Sequence, residues 1–292
     1  MNINNINHIK IKCRLCSSKN TRFLFSKQTF LNYDDKMWDI YECFDCGLKF
    51  ILNDQYPSFD YEKFYNFRYK DRILDDNYIH QGGKYWKREA KILSRLLPKE
   101  NIRILDIGCN AGNFLYHAPK SWVKYGVELS ALAIIGKKHG LNILQQNVED
   151  IEIDDNFFDI VTMYALIEHL INIDKVFDKI YSVLKPNGIL AVMTADSDSF
   201  KARLKGQNWH MYSPPEHQFF FTANSLDKFL VKYNFRLIYR YYTGGGMADY
   251  FDNKFLTKVI SIIQNHLIDR SFIKKFPIFD HMYSYYKLEK PL

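Results

Sequence analysis

The chain has no run of eighteen apolar residues, which argues against a membrane-spanning helix. Its first residues, MNINNINHIK, are polar and have none of the apolar core of a secretory leader. Both absences point to a reducing, cytoplasmic compartment, where disulfides are not expected. No internal repeat is present. Neither sign of charge dominates: 40 Lys and Arg against 33 Asp and Glu give a net charge of +7. That mild excess suits nucleic acid, sugar nucleotides or anionic lipid and selects none of them. Aromatics are abundant, at 16% with 21 Tyr, which suggests stacking pockets or amphipathic surfaces. With 292 residues the chain can form one sizeable domain with accessories.

The five cysteines are few but not scattered. Cys13 and Cys16 fall in CRLC, Cys43 and Cys46 in CFDC, and Cys109 stands alone. Two C-x-x-C pairs are what a tetrahedral zinc site requires, because each pair offers two thiolates from one tight turn. The 26 residues between the pairs (17–42) can hold a hairpin. Four thiolates leave no open position on the metal, so a structural Zn2+ is expected, holding residues 1–50 together.

Residues 51–100 are rich in Tyr and charge and read as a helical lid, with Tyr61, Tyr65, Tyr69, Tyr78 and Tyr85 the ones to watch. In its second half Trp86, Ala90, Leu93 and Leu97 share one helical face, and Pro98 stops the helix. IRILDIG then reads as a short apolar strand, and strands alternate with helices to about residue 240. Such alternation predicts an α/β fold with a doubly wound, mainly parallel sheet over 101–250. The aromatic, basic tail, 251–292, is read as helical.

After the first strand of this sheet the sequence lacks G-x-G-x-x-G and has LDIGCNAGNFL instead. Gly108 and Gly112 allow close approach of backbone to a ligand, ahead of a helix N-terminus. Asp106 at the loop entrance suits an ammonium group rather than a pyrophosphate. Glu128, 22 residues on, ends the next strand, where a carboxylate can accept both hydroxyls of a ribose.

These stretches resemble the class I S-adenosylmethionine-dependent methyltransferases. DIGCNAG is similar to that family's glycine loop and YGVELS to its ribose-binding strand end. NVEDIEIDDNFFDIVTMYALIEHL resembles the adenine-binding and fourth-strand region, and LKPNGIL the turn before strand five. The resemblance covers about 101–195 and implies a Rossmann-like seven-stranded sheet with S-adenosylmethionine as cofactor. It implies that Asp106 and the Gly108–Cys109–Asn110–Gly112 loop hold the methionine portion. Glu128 would then take the ribose, Leu129 would pack on the adenine, Asn147 with the Val148 amide would face its edge, and Tyr164, at the end of strand four, would also contact the cofactor. Two departures stand out: Asn110 replaces a usual glycine, tolerable because Asn accepts left-handed geometry, and Asn147 replaces a frequent Asp. Cys109 reads as a small packed residue, not a nucleophile.

Methyl transfer needs alignment of acceptor, methyl and sulfur, and often a base. His169, in IEHL after strand four, is one candidate. Ubiquinone-type O-methyltransferases carry Glu-x-x-Glu-His there, sometimes with a metal; here Ala165 replaces the first acid, which argues against a catalytic metal. The segment GQNWHMYSPPEHQFFF follows strand five and resembles PPEH runs of bacterial methyltransferases that tailor surface polysaccharides or small metabolites. His210 or His217 could be the base with Glu216 orienting it, or the segment could simply seat the following helix. Trp209, Tyr212 and Phe219 would line an apolar platform. Seven residues separate the two histidines, which does not match a helical ligand pair.

The expected activity is methyl transfer to an oxygen, or else a carbon or nitrogen, of a sugar, nucleotide sugar, polysaccharide precursor or other small metabolite. An RNA methyltransferase gripping phosphate with the cysteine segment is a second reading, weakened by Asp34, Asp35, Asp39, Glu42 and Asp45 in that segment. A non-catalytic binding protein that keeps the fold is a third.

Overall fold

The computed structural model describes residues 11–52, 54–60, 63, 64, 67, 75–243 and 279–290. Three strands, β1 (Thr21–Gln28), β2 (Met37–Cys43) and β3 (Lys49–Ile51), lead into helix α1 (Gly83–Leu96). The alternation then runs β4 (Arg103–Ile107), α2 (Asn113–His117), β5 (Val123–Val127), α3 (Ala133–Lys138), β6 (Asn142–Leu144), β7 (Phe158–Tyr164), α4 (Ile173–Val183) and β8 (Leu184–Ala195). It closes with α5 (Phe200–Lys205), β9 (Phe219–Phe220), α6 (Ala223–Val231), β10 (Phe235–Thr243) and β11 (His281–Leu288).

Seven strands form the main sheet in the order β10-β11-β8-β7-β4-β5-β6. Pairings from β8 to β6 are parallel, and those that add β11 and β10 are antiparallel. Every residue of β7 is buried, as a central strand covered on both faces requires. The strand order reverses at β4, which pairs with both β5 and β7, so a crevice opens beyond the carboxyl ends of these strands.

Within the tail that reads as helical, residues 281–288 are instead a strand, inserted between β10 and β8. Its burial is nearly continuous, so HMYSYYKL shows no apolar–polar alternation to betray it. Most of the remaining tail lies outside the described residues. β11 also anchors α1: Glu89 is fully buried and accepts hydrogen bonds from Tyr241 and Tyr285, both at 2.5 Å, beside Arg88 at 3.2 Å.

A second sheet, β1-β2-β3-β9, carries the cysteine segment. Its fourth strand comes from Phe219 and Phe220, paired with Phe50 and Lys49. The N-terminal segment is therefore closed by two residues from the stretch after β8.

Candidate functional site

A cavity of about 1520 Å3 opens at the carboxyl ends of β4, β5 and β7. On one side lies the loop from Asp106 to Gly112. Gly108 has φ +68°, and a Cβ there would meet Leu166 at 2.8 Å, so only glycine fits without displacement. Asn110 adopts φ +58°, the left-handed geometry expected of it, and its Oδ1 accepts from the Ala111 amide at 3.0 Å. The helix that follows, α2, has only 5 residues, so the loop backbone rather than a long helix dipole faces the cavity.

Asp106 is buried, and its Oδ1 accepts from the Thr162 hydroxyl at 2.7 Å. Burial pushes its carboxyl up to about 7, and the neighbouring Glu128 adds to the rise. Glu128 is held by two backbone amides, Asn110 at 2.9 Å and Ser130 at 2.8 Å. Each of its oxygens keeps a second lone pair for a ligand hydroxyl. Leu129, Asn147 and Val148 line the same wall, with Leu129 65% exposed. Cys109 lines it too, and burial raises its thiol well above the usual range, which suits packing and not nucleophilic attack. The Tyr164 hydroxyl is buried, with no hydrogen-bond partner among the described residues.

The opposite wall comes from the turn Ile167–His169 and from 210–217. His169 donates from Nδ1 to the Glu216 carbonyl at 2.7 Å, and His217 from Nδ1 to the Met211 carbonyl at 2.8 Å. Since a carbonyl only accepts, both rings carry their basic lone pair on Nε2. The rings meet edge to face at 4.7 Å. Glu168 is buried beside them, its Oε2 has no hydrogen-bond partner among the described residues, and burial pushes it up to about 7. One ligand-type atom from each of Glu168, His169 and His217 lies within 4.8 Å of the others. Glu216 also lines the cavity, but the group that orients His217 through Nδ1 is the Met211 carbonyl.

His210 lines the cavity but is not part of that cluster. It is 57% exposed, with Nε2 4.0 Å from the fully buried Asp280, which also accepts from Trp209 and pairs with Lys201 at 3.3 Å. The histidines that come together are thus His169 and His217, a pair that the sequence spacing did not single out. Trp209, Tyr212 and Phe219 do not form the expected platform: they are buried in the apolar cores, because the segment folds back and pairs beside β3 through Phe219 and Phe220. Glu168, the acid that remains of the Glu-x-x-Glu-His run, carries no role in the sequence reading, and Asp280 is absent from it. No sequence pattern marks Asp280, whereas Glu168 stood in plain view beside His169. From the lid, Tyr78 and Tyr85 line the cavity, whereas Tyr61, Tyr65 and Tyr69 lie outside the described residues.

The four N-terminal cysteines converge. Sγ of Cys13 lies 3.7 Å from that of Cys46, and Cys16 3.6 Å from Cys43. Thiolates bound tetrahedrally to zinc at about 2.3 Å sit about 3.8 Å apart, so the donor set fits such an ion with little movement. All four are free thiols rather than disulfides.

Comparison with known proteins agrees with this architecture. The chain is 33% identical over 158 residues to the ubiquinone biosynthesis O-methyltransferase of Rhodopseudomonas palustris (strain TIE-1), a match covering 50% of this chain and 61% of that one. With the ubiquinone biosynthesis O-methyltransferase of Rickettsia prowazekii (strain Madrid E) it shares 32% over 114 residues, 36% of this chain and 44% of that one. The chain thus spans roughly half the length of these relatives. Among solved structures, a SAM-dependent methyltransferase from Archaeoglobus fulgidus superposes with a TM-score of 0.50 at 18% identity, covering 78% of this chain and 100% of that one, a likeness of fold. No helix among the described residues is long and apolar enough to cross a membrane. A family profile described as a methyltransferase domain matches residues 78–240, more than half of the 292, and the chain belongs to that family.

Proposed function

We propose that the chain transfers a methyl group from S-adenosylmethionine to a hydroxyl oxygen of a small acceptor, a sugar or sugar-derived metabolite first among them. The observation that carries this reading is the two-walled cavity, with Asp106, Gly108 and Glu128 on one side and Glu168, His169 and His217 on the other. The residues fit the cofactor: a buried carboxylate with no cation beside it among the described residues, next to a loop whose Gly108 leaves no room for a side chain, suits a ligand bringing its own positive charge. When bound, S-adenosylmethionine supplies an electrophilic methyl on a sulfonium.

The chain's own residues do the rest. Asp106 holds the ammonium end, Glu128 the ribose hydroxyls, and Leu129, Asn147 and Val148 the adenine. Nε2 of His217 or His169 takes the acceptor's proton, and Glu168 stabilises the imidazolium that results. Tyr78, Tyr85 and Trp86 exclude water above the cofactor. An oxygen acceptor is supported by the relatives named for O-methyl transfer. The described lining includes Asp106, Glu128, Glu149, Glu168 and Glu216 and, among the described residues, no lysine or arginine. That lining favours a neutral hydroxyl group over a phosphate-rich RNA. A structural zinc on the four cysteines completes the proposal, and the cytoplasm is its setting.

Labelled S-adenosylmethionine, incubated with the chain and fractionated cell extract, tests this directly. Label in sugars, nucleotide sugars or other small metabolites supports the reading. Label confined to RNA overturns it. Substituting His217→Asn and His169→Asn separately should reduce turnover by about 10²–10⁴ for whichever is the base, while binding of S-adenosylhomocysteine is retained.

A further inference from the structure

The cysteine segment is wired into the acceptor wall through one side chain. Arg14 sits between Cys13 and Cys16, inside the first metal-binding turn. Its Nη1 donates to the Ile51 carbonyl at 2.9 Å and to Gln218 Oε1 at 3.1 Å, and its Nη2 to the Ile171 carbonyl at 3.3 Å. Its guanidinium carbon lies 4.3 Å from the centre of the Phe219 ring. Ile171 and His217 both line the cavity, so one fork touches one cavity loop directly and holds the residue next to His217 in the other.

Gln218 spreads that hold. It is fully buried; its amide donates to the Glu168 carbonyl at 2.7 Å and its side chain to the Pro215 carbonyl at 2.7 Å. Its own carbonyl accepts from Ile51 at 3.2 Å. The bond from His169 to the Glu216 carbonyl spans the same two loops. A planar fork that meets several acceptors at once fixes their relative positions, which a single-point cation does not.

We propose that Arg14 is a positioning residue, carrying the geometry of the four-cysteine turn to the loops that present Glu168, His169 and His217. Metal in the turn fixes the guanidinium, and the guanidinium fixes Gln218 and Ile171. The proposal rests on the cavity reading above for the word acceptor, but its physical content does not need the acceptor. Cofactor binding should be insensitive to it, because the cofactor wall draws on neither Arg14 nor Gln218.

The test uses the full chain in four forms: zinc-loaded, stripped with a chelator, Arg14→Ala and Arg14→Lys. Amide hydrogen exchange at Gln218 and the imidazole nitrogen spectra of His169 and His217 are read alongside S-adenosylhomocysteine affinity. Stripping and Arg14→Ala are each expected to speed Gln218 exchange by about tenfold or more and to disturb both imidazole Nδ1–H signals. Arg14→Lys should recover part of the protection. Affinity for S-adenosylhomocysteine should stay within about twofold of the loaded chain. Unchanged Gln218 exchange and superimposable imidazole spectra in Arg14→Ala would overturn the role of Arg14. An effect in Arg14→Ala without one on stripping would overturn the link to the metal. Should Arg14→Ala fail to fold, Arg14→Lys and the stripped chain make the same decision. If even the loaded wild-type chain ignores S-adenosylhomocysteine, the cofactor reading falls, while the exchange comparison still decides Arg14.

Discussion

The two walls of the cavity are built differently. The wall proposed to hold the cofactor comes from neighbouring strand ends within 106–148, each residue placed by its own strand and loop. The wall proposed to face the acceptor brings together Glu168, His169, His210 and His217, backed by Arg14 and Asp280 from near the two ends of the chain. A wall made of local loops is fixed as soon as its strands pair. A wall made of distant loops depends on whatever pins them, here the cysteine turn, β9 and the buried polar bonds of Gln218. The first should therefore resist damage elsewhere, and the second should not.

The largest effect expected is at the metal. Cys43→Ser should remove bound zinc, measured as metal per chain, and destabilise the β1-β2-β3-β9 sheet by on the order of 5 kcal/mol. If the walls are as separate as they look, S-adenosylhomocysteine still produces a thermal shift in that variant.

Glu89→Ala comes next. It leaves the buried hydroxyls of Tyr241 and Tyr285 and the Arg88 charge without their acceptor, at a cost of about 3–5 kcal/mol by urea unfolding. Because those bonds join α1 to β10 and β11, this variant strains the sheet itself and should weaken both walls together.

Asp106→Ala should erase the S-adenosylhomocysteine shift, which for the wild type at a hundred times Kd amounts to about 2.7 kcal/mol. Its pH dependence has a definite sign. Burial holds Asp106 at about 7 when folded, above the ordinary 3.8, so the folded chain binds this proton more tightly than the unfolded one. Its contribution to the ligand-free chain is full below about 3.8 and is lost as pH rises through about 7. A ligand ammonium reverses the preference, so the shift from S-adenosylhomocysteine should grow between pH 6 and 8 and stay flat in Asp106→Ala.

The smallest effect belongs to Asn110→Gly. Glycine removes the left-handed penalty at φ +58° but gives up the side chain's bond to Ala111, leaving a net change of less than about 1 kcal/mol. A large loss of S-adenosylhomocysteine affinity with stability unchanged would mean that the Asn110 side chain contacts the ligand.

That Asp106, Gly108, Gly112 and Glu128 belong near one another was legible because the signals are short range. Asp106, Gly108 and Gly112 sit on one strand-to-loop turn, and Glu128 follows at the end of the next strand. The strands β4 to β8 were legible for the same reason, as apolar runs separated by helices. The failures share a cause. HMYSYYKL, buried on both faces, has no alternation, and only its place between β10 and β8 makes it a strand. Trp209, Tyr212 and Phe219 looked like a platform because aromatic composition does not say which face is covered. The pairing of His169 with His217 crosses 47 residues between His169 and the Glu216 carbonyl that holds it.

By itself the sequence determined the parallel α/β alternation, the glycine loop with its two carboxylates, and the four thiols, two on each of two turns, that could hold a metal. Each of these is set by spacing within a strand, a loop or a turn. Tertiary structure alone decided that β11 completes the sheet, that Glu168 joins the two histidines, and that Arg14 ties the cysteine turn to them. Those contacts depend on which distant surfaces become buried together, and the chain's local spacing does not encode that choice.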